Sequence, residues 1–273
     1  MLTQLNVSGG SSGLSLPLYE SQPYEVKDIS GLGPVPTSLT EITYSDQDGG
    51  EVRLANVASR EIIISLHLNP NYAVGETAED LRRALYGIFT GLSEITLSFV
   101  DDVVGSMSIK GWVQSITPSM FDPNLGVEIK ITCPFAYFKS EQVTTIASPV
   151  LTGGNFTIEY EGNAPAGFQF DVMPVTTNMT EFSLKRVGQT YGFSYYQTVN
   201  AGNRFAVNTR PGEKAADLWV GAVKTNKLGG VSSFTAWDTL ILLPGSNVFN
   251  FTWVGPAANP LKNVSWTNYY LSL

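Results

Sequence analysis

The one nucleophile of obvious reactivity in this chain is a thiol, and the one imidazole that could activate it is His67, because the sequence holds a single cysteine, Cys133, and a single histidine. Cysteine chemistry runs through the thiolate, which needs a neighbouring base or positive charge to form near neutral pH. The surroundings of both residues argue against the pair. In LGVEIKITC, Leu125, Val127, Ile129, Ile131 and Cys133 fall on one side of an alternating strand, and Gly126, Glu128, Lys130 and Thr132 on the other. In REIIISLHLNP, Ile62, Ile64, Leu66 and Leu68 share a face, while Ser65, His67 and Asn69 share the opposite one. The thiol therefore points into a core and the imidazole away from one. Cys133 reads as a small buried residue. Pro134 ends its strand, because proline has no N–H to give the ladder.

Other chemistry is sparse. With one Cys and one His, zinc-type sites are excluded by inventory, and a Ser-His-Asp arrangement would have to draw on His67. The acidic run SDQDGGE (45–51) spaces Asp46 and Asp48 like calcium ligands, but Gly50 stands at the third ligand position and no Glu follows in register. A tight hairpin turn accounts for it, and Asp101-Asp102 reads the same way. Paired carboxylates of the glycosidase kind stay open, since two acids can meet from distant strands. No acid, however, stands in a plainly apolar setting that would raise its pKa. No catalytic residue, metal or cofactor is expected.

The aromatic inventory is richer. Trp253 continues the Phe249, Phe251 alternation and reads as core. Trp237 and Trp266 lie in turn-like surroundings, where an exposed indole can stack on a sugar ring. GNRFAVNTR adds Asn203, Arg204, Asn208 and Arg210, which are ordinary solvated strand residues unless a glycan uses them. Trp237, Trp266 and Arg204 are thus the candidate carbohydrate contacts.

Composition indicates what must carry these residues. The 273 residues are 43% hydrophobic and only 15% charged, with 26 Gly and 15 Pro, a balance that favours strands and turns. A formal net charge of −8 argues against a nucleic-acid-binding surface. No apolar run reaches the roughly 18–20 residues of a membrane-spanning helix. One helix is predicted, TAEDLRRALYGIFTG (77–91). Thr77 is its N-cap, Glu79 and Asp80 complement its dipole, and Gly91 supplies the stop. Leu81, Ala84, Leu85, Ile88 and Phe89 form its apolar stripe. Arg82 and Arg83 sit off that stripe and are candidate contacts between subunits.

Around the helix, TEITYSDQDGGEVRLANV (40–57) reads as a hairpin. Residues 1–20, rich in Gly, Ser and Leu, read as a flexible or docking arm. The turn-rich KSEQVTTIASPVLTGGN (139–155) marks a boundary, giving domains 1–141 and 142–273. Beyond it the chain is strand patterns throughout: FTIEYEG, GFQFDVMP, FSLKRVG, GFSYYQTV, RFAVNTR, DLWVGAV, DTLILLPG and NVFNFTWVG. Short runs between Gly, Pro and Asn turns, with no helical period, predict a two-sheet β-sandwich of jelly-roll type.

The order of these pieces resembles the distal tail protein of siphovirus-type phages. The matching stretches are YEVKDISGLGPVP, ASREIIISLHL, DLRRALYGIF and GVEIKITCPFAYF, then FTIEYEGNAPAGFQFDV and LILLPGSNVFNFTW, covering residues 24 to about 254. No single stretch is specific; their order carries the likeness, which is one of fold. It implies a mostly β chain, with an N-terminal β-sandwich or barrel-like ring domain bearing one docked α-helix, then a galectin-like jelly-roll β-sandwich. It further implies a structural virion protein rather than an enzyme, made in the host cytoplasm and placed at the distal end of the tail. There a homohexameric ring would join the tail tube protein to the tail tip or baseplate, touching the tail-tip hub protein, the tape-measure C-terminus and receptor-binding proteins. Acidic ring walls would let genome DNA pass the lumen without specific binding. Galectin sites use a histidine beside Asn and Arg, and the second half of this chain has no histidine, so the resemblance does not import sugar binding. The alternative reading is a carbohydrate-binding adhesin module acting in host-surface recognition. Residues 255–273, with Trp266, Tyr269, Tyr270 and Leu271, read as a terminal strand or tail that docks on its own or a neighbouring subunit.

Overall fold

The structure, a computed structural model, describes residues 2–9, 12–18, 23–35, 37–43, 50–89, 93–102, 105–119, 125–232 and 235–273. The fold is mostly antiparallel β, with one α-helix among the described residues. The chain divides into two compact units, Met1–Glu141 with Tyr270–Leu273, and Gln142–Tyr269. The last four residues thus join the first unit instead of closing the second.

The first unit contains β1 (Leu2–Gly9), β2 (Ser12–Pro17), β3 (Tyr24–Ser30), β4 (Thr37–Thr43), β5 (Gly50–Val57), β6 (Arg60–Leu68), α1 (Ala78–Ile88), β7 (Glu94–Asp101), β8 (Gly105–Pro118) and β9 (Gly126–Cys133). Next comes β10 (Phe138–Ala147), which carries the chain out of this unit. The hydrogen-bonded order is β2-β1-β7-β8-β9-β6-β3. β8 is long enough to pair twice, with β7 through Gly105–Trp112 and with β9 through Trp112–Pro118. β9 stops where Pro134 withdraws its N–H, and β10 resumes beside Met107 and Ser108 of β8.

The alternations of β6 and β9 hold, with Ile62, Ile64, Leu66 and Leu68, and Val127, Ile129, Ile131 and Cys133 buried in one core, which Ile95, Leu97 and Phe99 of β7 share. Of the flexible or docking arm expected over residues 1–20, the described strands β1 and β2 are docked. β1 pairs with both β2 and β7, so that Leu5, Val7 and Leu16 are buried against Leu97 and Phe99. The Gly and Ser content hid an ordinary period-2 strand pattern.

Helix α1 opens on a capping box. Thr77 Oγ1 accepts from Asp80 N at 3.2 Å, and Asp80 Oδ2 accepts from Thr77 N at 3.0 Å. Leu81, Leu85, Ile88 and Phe89 are buried, and the helix packs against β1 and β2, with Tyr24 Oη on β3 donating to Leu81 O at 3.0 Å. Ala84 is exposed, so the buried stripe is narrower than the sequence predicts. Phe89 is the C-cap; the expected stop at Gly91 lies outside the described residues. β4 and β5 pair with each other as a separate two-stranded sheet. The turn expected between them, with Asp46 and Asp48, also lies outside the described residues.

The second unit contains β11 (Asn155–Tyr160), β12 (Phe168–Val172), β13 (Glu181–Arg186), β14 (Phe193–Tyr195), β15 (Arg204–Asn208), β16 (Ala215–Val220), β17 (Val223–Asn226), β18 (Gly245–Val254) and β19 (Leu261–Tyr270). One sheet runs β17-β16-β15-β12-β19 and the other β11-β18-β13-β14. Their inner faces meet through aromatic rings. Phe168 and Phe249 lie 5.0 Å apart, Phe182 and Phe205 5.3 Å, and Tyr195 and Phe205 4.3 Å. Each of these rings is fully buried, so stacked aromatic area forms the sandwich core. DTLILLPG is the one predicted run that forms no strand. Leu240 and Leu242 are buried, but the segment makes a 3-10 turn at Trp237–Thr239 and a single bridge from Leu242 to Ala166. DLWVGAV is a strand and a turn: Gly221, at φ 58, begins the two-residue link from β16 to β17, where a left-handed conformation favours glycine.

Candidate functional site

Cys133 and His67 stand at opposite ends of one strand pair. Across β6 and β9, Arg60 faces Cys133 and His67 faces Gly126. Burial pushes the Cys133 thiol from its ordinary 9.0 up to about 11, against an opposing pull from the Arg60 charge. His67 lines a shallow open depression of about 500 Å³ with Lys27, Ser65, Thr117 and Glu128. Glu25, directly across from His67, has its carboxyl held below the usual range, first by a hydrogen bond from Lys27 Nζ at 2.7 Å. These are partly exposed polar side chains on one face of the sheet. Among the described residues no group of three or more His, Cys, Asp or Glu is placed to hold a metal ion, and no helix is long and apolar enough to cross a membrane.

The residue facing Cys133 escaped the sequence reading. Arg60 is 3% exposed. Its guanidinium is held by carbonyl oxygens, with Nε donating to Ala136 at 2.8 Å, Nη1 to Gly33 at 2.7 Å and to Gly31, and Nη2 to Leu271 at 2.5 Å. It also lies 4.4 Å from the centre of the Phe138 ring. The signal was its phase in REIIISL: Arg60 falls on the same face as Ile62 and Ile64.

The two helix arginines differ. Arg83 is 73% exposed and reaches Glu79 at 3.2 Å. The Arg82 side chain is only 12% exposed, and its Nη2 donates to Ser119 O at 3.3 Å, just past the end of β8. Much of its side chain is thus spent on contacts within the chain. Arg83 retains the exposure that a contact between subunits needs.

The carbohydrate candidates also separate. Trp266 is buried at 3% exposure, opposite Phe168 in the β12–β19 pair, so the open platform expected of it is absent. Its neighbourhood is turn-like only up to Pro260; from Leu261 onward the chain is a strand. Trp237 is half-buried, its ring packed edge-on to Phe193 at 5.5 Å. Arg204 is exposed, pairs with Asp171 at 3.0 Å and lies 5.8 Å from the ring centre of Trp219. Trp219 was missed as a candidate. Its tell was an aromatic residue in phase with Asp217, on the side of β16 away from the core.

An all-β chain in two units, with a capped helix in the first and an aromatic-cored sandwich in the second, has the fold of phage hub and baseplate proteins. The SPP1 Dit protein, described as a paradigm of the hub adsorption apparatus in phages that infect Gram-positive hosts, superimposes with a TM-score of 0.72 at 13% identity, over 97% of this chain and 98% of that one. A chain of the phage p2 baseplate in its activated conformation with calcium gives 0.54 at 12% identity, over 99% and 98%. The same baseplate with strontium gives 0.52 at 12% identity, over 97% of each chain. No protein-family model and no curated protein matches the sequence.

Proposed function

We propose that this chain is a structural hub of a phage tail, six copies of which form a ring between the tail tube and the tail tip or baseplate. The observation that carries the reading is the end-to-end likeness to the SPP1 Dit hub protein, which covers both units and leaves almost no residue of either chain unmatched. A likeness at 13% identity speaks for the fold. The buried thiol of Cys133 and the half-buried His67 lie at opposite ends of their strand pair, so the chain's one thiol and one imidazole do not form a pair. In this reading the first unit forms the ring and the second is an outward-facing, galectin-like sandwich. The partners are the tail tube protein, the tail-tip hub protein, the tape-measure end and receptor-binding proteins, and the site of action is the distal end of the virion tail. The net charge of −8 on each subunit suits a channel through which DNA passes without adhering.

The test is native mass measurement with negative-stain imaging, on the protein alone and mixed with tail tube protein. Rings of six 29.6 kDa subunits in either sample support the hub. A strict monomer in both, at high concentration, overturns it.

A further inference from the structure

The turn that leads from β6 toward α1 is ordered without burying any of its residues. Tyr72–Val74 form a single 3-10 turn, tied together by hydrogen bonds to Asn71. Asn71 Oδ1 accepts from Ala73 N at 3.2 Å, and Asn71 O accepts from Val74 N at 3.1 Å and from Glu76 N at 3.2 Å. Asn71 N in turn donates to Glu76 Oε2 at 2.9 Å. The turn holds out Tyr72 and Val74, 69% and 75% exposed, the most exposed large apolar side chains of the first unit among the described residues. Apolar groups fixed outward in this way stabilise nothing within the chain, but they lower the ordering cost of binding. At the other end of β6 lies a depression of about 410 Å³, lined by Gly31, Gly33, Pro34, Val35, Ser59, Arg60 and Glu61. Glu61 is offset by Lys130 at 2.7 Å, whereas the Arg60 guanidinium meets carbonyl oxygens and no carboxylate among the described residues. The depression therefore carries a net positive charge. The turn has the opposite sign, since the Glu76 carboxylate accepts from a neutral backbone N–H and pairs with no cation among the described residues. β6 has nine residues, so turn and depression lie roughly 30 Å apart. One chain cannot bring them together; two copies can.

We propose that the Tyr72–Val74 turn of one copy seats in the depression at 31–35 of a second copy. The phenol ring and the isopropyl group cover Pro34 and Val35. Gly33 leaves the space, because a Cβ placed there meets no atom within 4 Å. Glu76 comes to rest on the side of Arg60, so that an unpaired acid and an unpaired cation offset each other. That match of sign and shape within one sequence selects a second copy of the chain over an unrelated protein. Turn and depression stand at opposite ends of one strand, so the contact is head-to-tail. Each pairing leaves a turn open on one copy and a depression open on the other, and repetition closes a ring where the rotation allows. The inference rests on the self-association in the hub reading and adds which surfaces meet.

Native mass measurement at about 100 μM compares wild type, alone and with tail tube protein, with Tyr72→Ser/Val74→Ser and with Gly33→Phe. All three positions are exposed, so the fold is kept. Expected is that each variant assembles roughly tenfold or more less readily than wild type. Mixing the two variants then gives one-to-one pairs and nothing larger, because one copy keeps only its depression and the other only its turn. Rings at wild-type strength in either variant overturn the proposal and leave the hub reading intact. A mixture that stays monomeric, or one that rebuilds full rings, overturns it as well. Wild type that is monomeric in both samples removes the ring itself, and this contact with it.

Discussion

Arg60 and Leu271, 211 positions apart in sequence, are joined by a 2.5 Å hydrogen bond from the guanidinium to the carbonyl. The same side chain spans Gly31, Gly33 and Ala136, so one buried cation gathers segments that the strand ladders leave unconnected. Its planar fork suits this role, because several N–H groups meet several fixed acceptors at once. Arg60→Met leaves those carbonyls without their donor and is expected to cost about 3–5 kcal/mol in denaturant unfolding. Arg60→Lys, a point charge without the fork, falls in between. Deleting Leu271–Leu273 removes the same contact along with the Leu273 N to Leu32 O bond of 3.1 Å. Deletion and Arg60→Met should therefore cost less together than the sum of each alone. Strict additivity would show that the arginine and the tail do not act as a unit.

Cys133 makes stability fall at alkaline pH. Its folded pKa of about 11 lies above the ordinary 9.0. Below pH 9 the thiol is protonated in both states and the full stability is present. From pH 9 upward the unfolded chain releases the proton while the native one keeps it, so stability declines until about pH 11. The loss is roughly 2–3 kcal/mol for a shift of this size. Cys133→Ala should flatten that part of the profile, with the raised tyrosines Tyr24, Tyr137, Tyr195 and Tyr269 supplying what remains at higher pH. Native protein at pH 8 should also resist iodoacetamide and react once unfolded. Rapid native labelling would mean that the thiol is not buried as described.

Period-2 alternation made most of the strands legible before any coordinates, because a strand buried on one face leaves that mark wherever the other face stays polar. Leu125 to Cys133 and Ile62 to Leu68 are of this kind, and the cap at Thr77 was equally plain. What escaped notice had a masking composition or a second meaning. Leu5, Val7, Leu14 and Leu16 were obscured by the intervening Gly and Ser. Arg60 was passed over although its phase marks it as inward, and Arg82, off the apolar stripe, is covered only by tertiary contact. Trp266 follows a turn that ends at Pro260, and those turn-like surroundings hid the burial of an indole that sits well inside the terminal strand. Trp219 meets Arg204 and Lys224 only across two neighbouring strands, and no local pattern names which strands those are.

The helix provides a graded comparison. Leu85, at 0% exposure, faces the core, so Leu85→Asp is expected to cost on the order of 3 kcal/mol or more. Thr77→Ala, which removes half of the capping box, should cost about 1 kcal/mol. Arg83→Ala should stay within about 0.5 kcal/mol, as exposed positions do, and if the proposed ring forms, its loss on that background marks Arg83 as a contact between subunits. Arg82→Ala should cost measurably more than Arg83→Ala, because it strips the bond to Ser119 O. Equal melting of the two variants would refute the burial of Arg82.

The indoles Trp266 and Trp237 test the sandwich core against its rim. Trp266 is 3% exposed among the core residues of the second unit. Its replacement by alanine is expected to cost about 3–5 kcal/mol, as for other buried tryptophans. Trp237→Ala removes one edge-on contact with Phe193 and should cost clearly less. Thermal melts of the two variants side by side decide it. A larger loss at Trp237 would invert the order of burial.

Gly111 on β8 stands close against the buried thiol and Ile131. A Cβ placed there would stand 2.7 Å from Ile131 Cγ2, 2.8 Å from Cys133 Sγ and 3.0 Å from Thr132 O, inside the reach of all three. Gly111→Ala should therefore cost about 1–3 kcal/mol through overpacking, even though alanine suits a strand at least as well as glycine. Removing the sulfur creates the missing space, so Gly111→Ala should be less harmful on a Cys133→Ala background by roughly 0.5 kcal/mol or more. Denaturant unfolding of the two single variants and the double variant measures that coupling. Its absence would place the strain on Ile131 and the backbone oxygen of Thr132, and would leave Cys133 a neighbour of Gly111 without a steric claim on it.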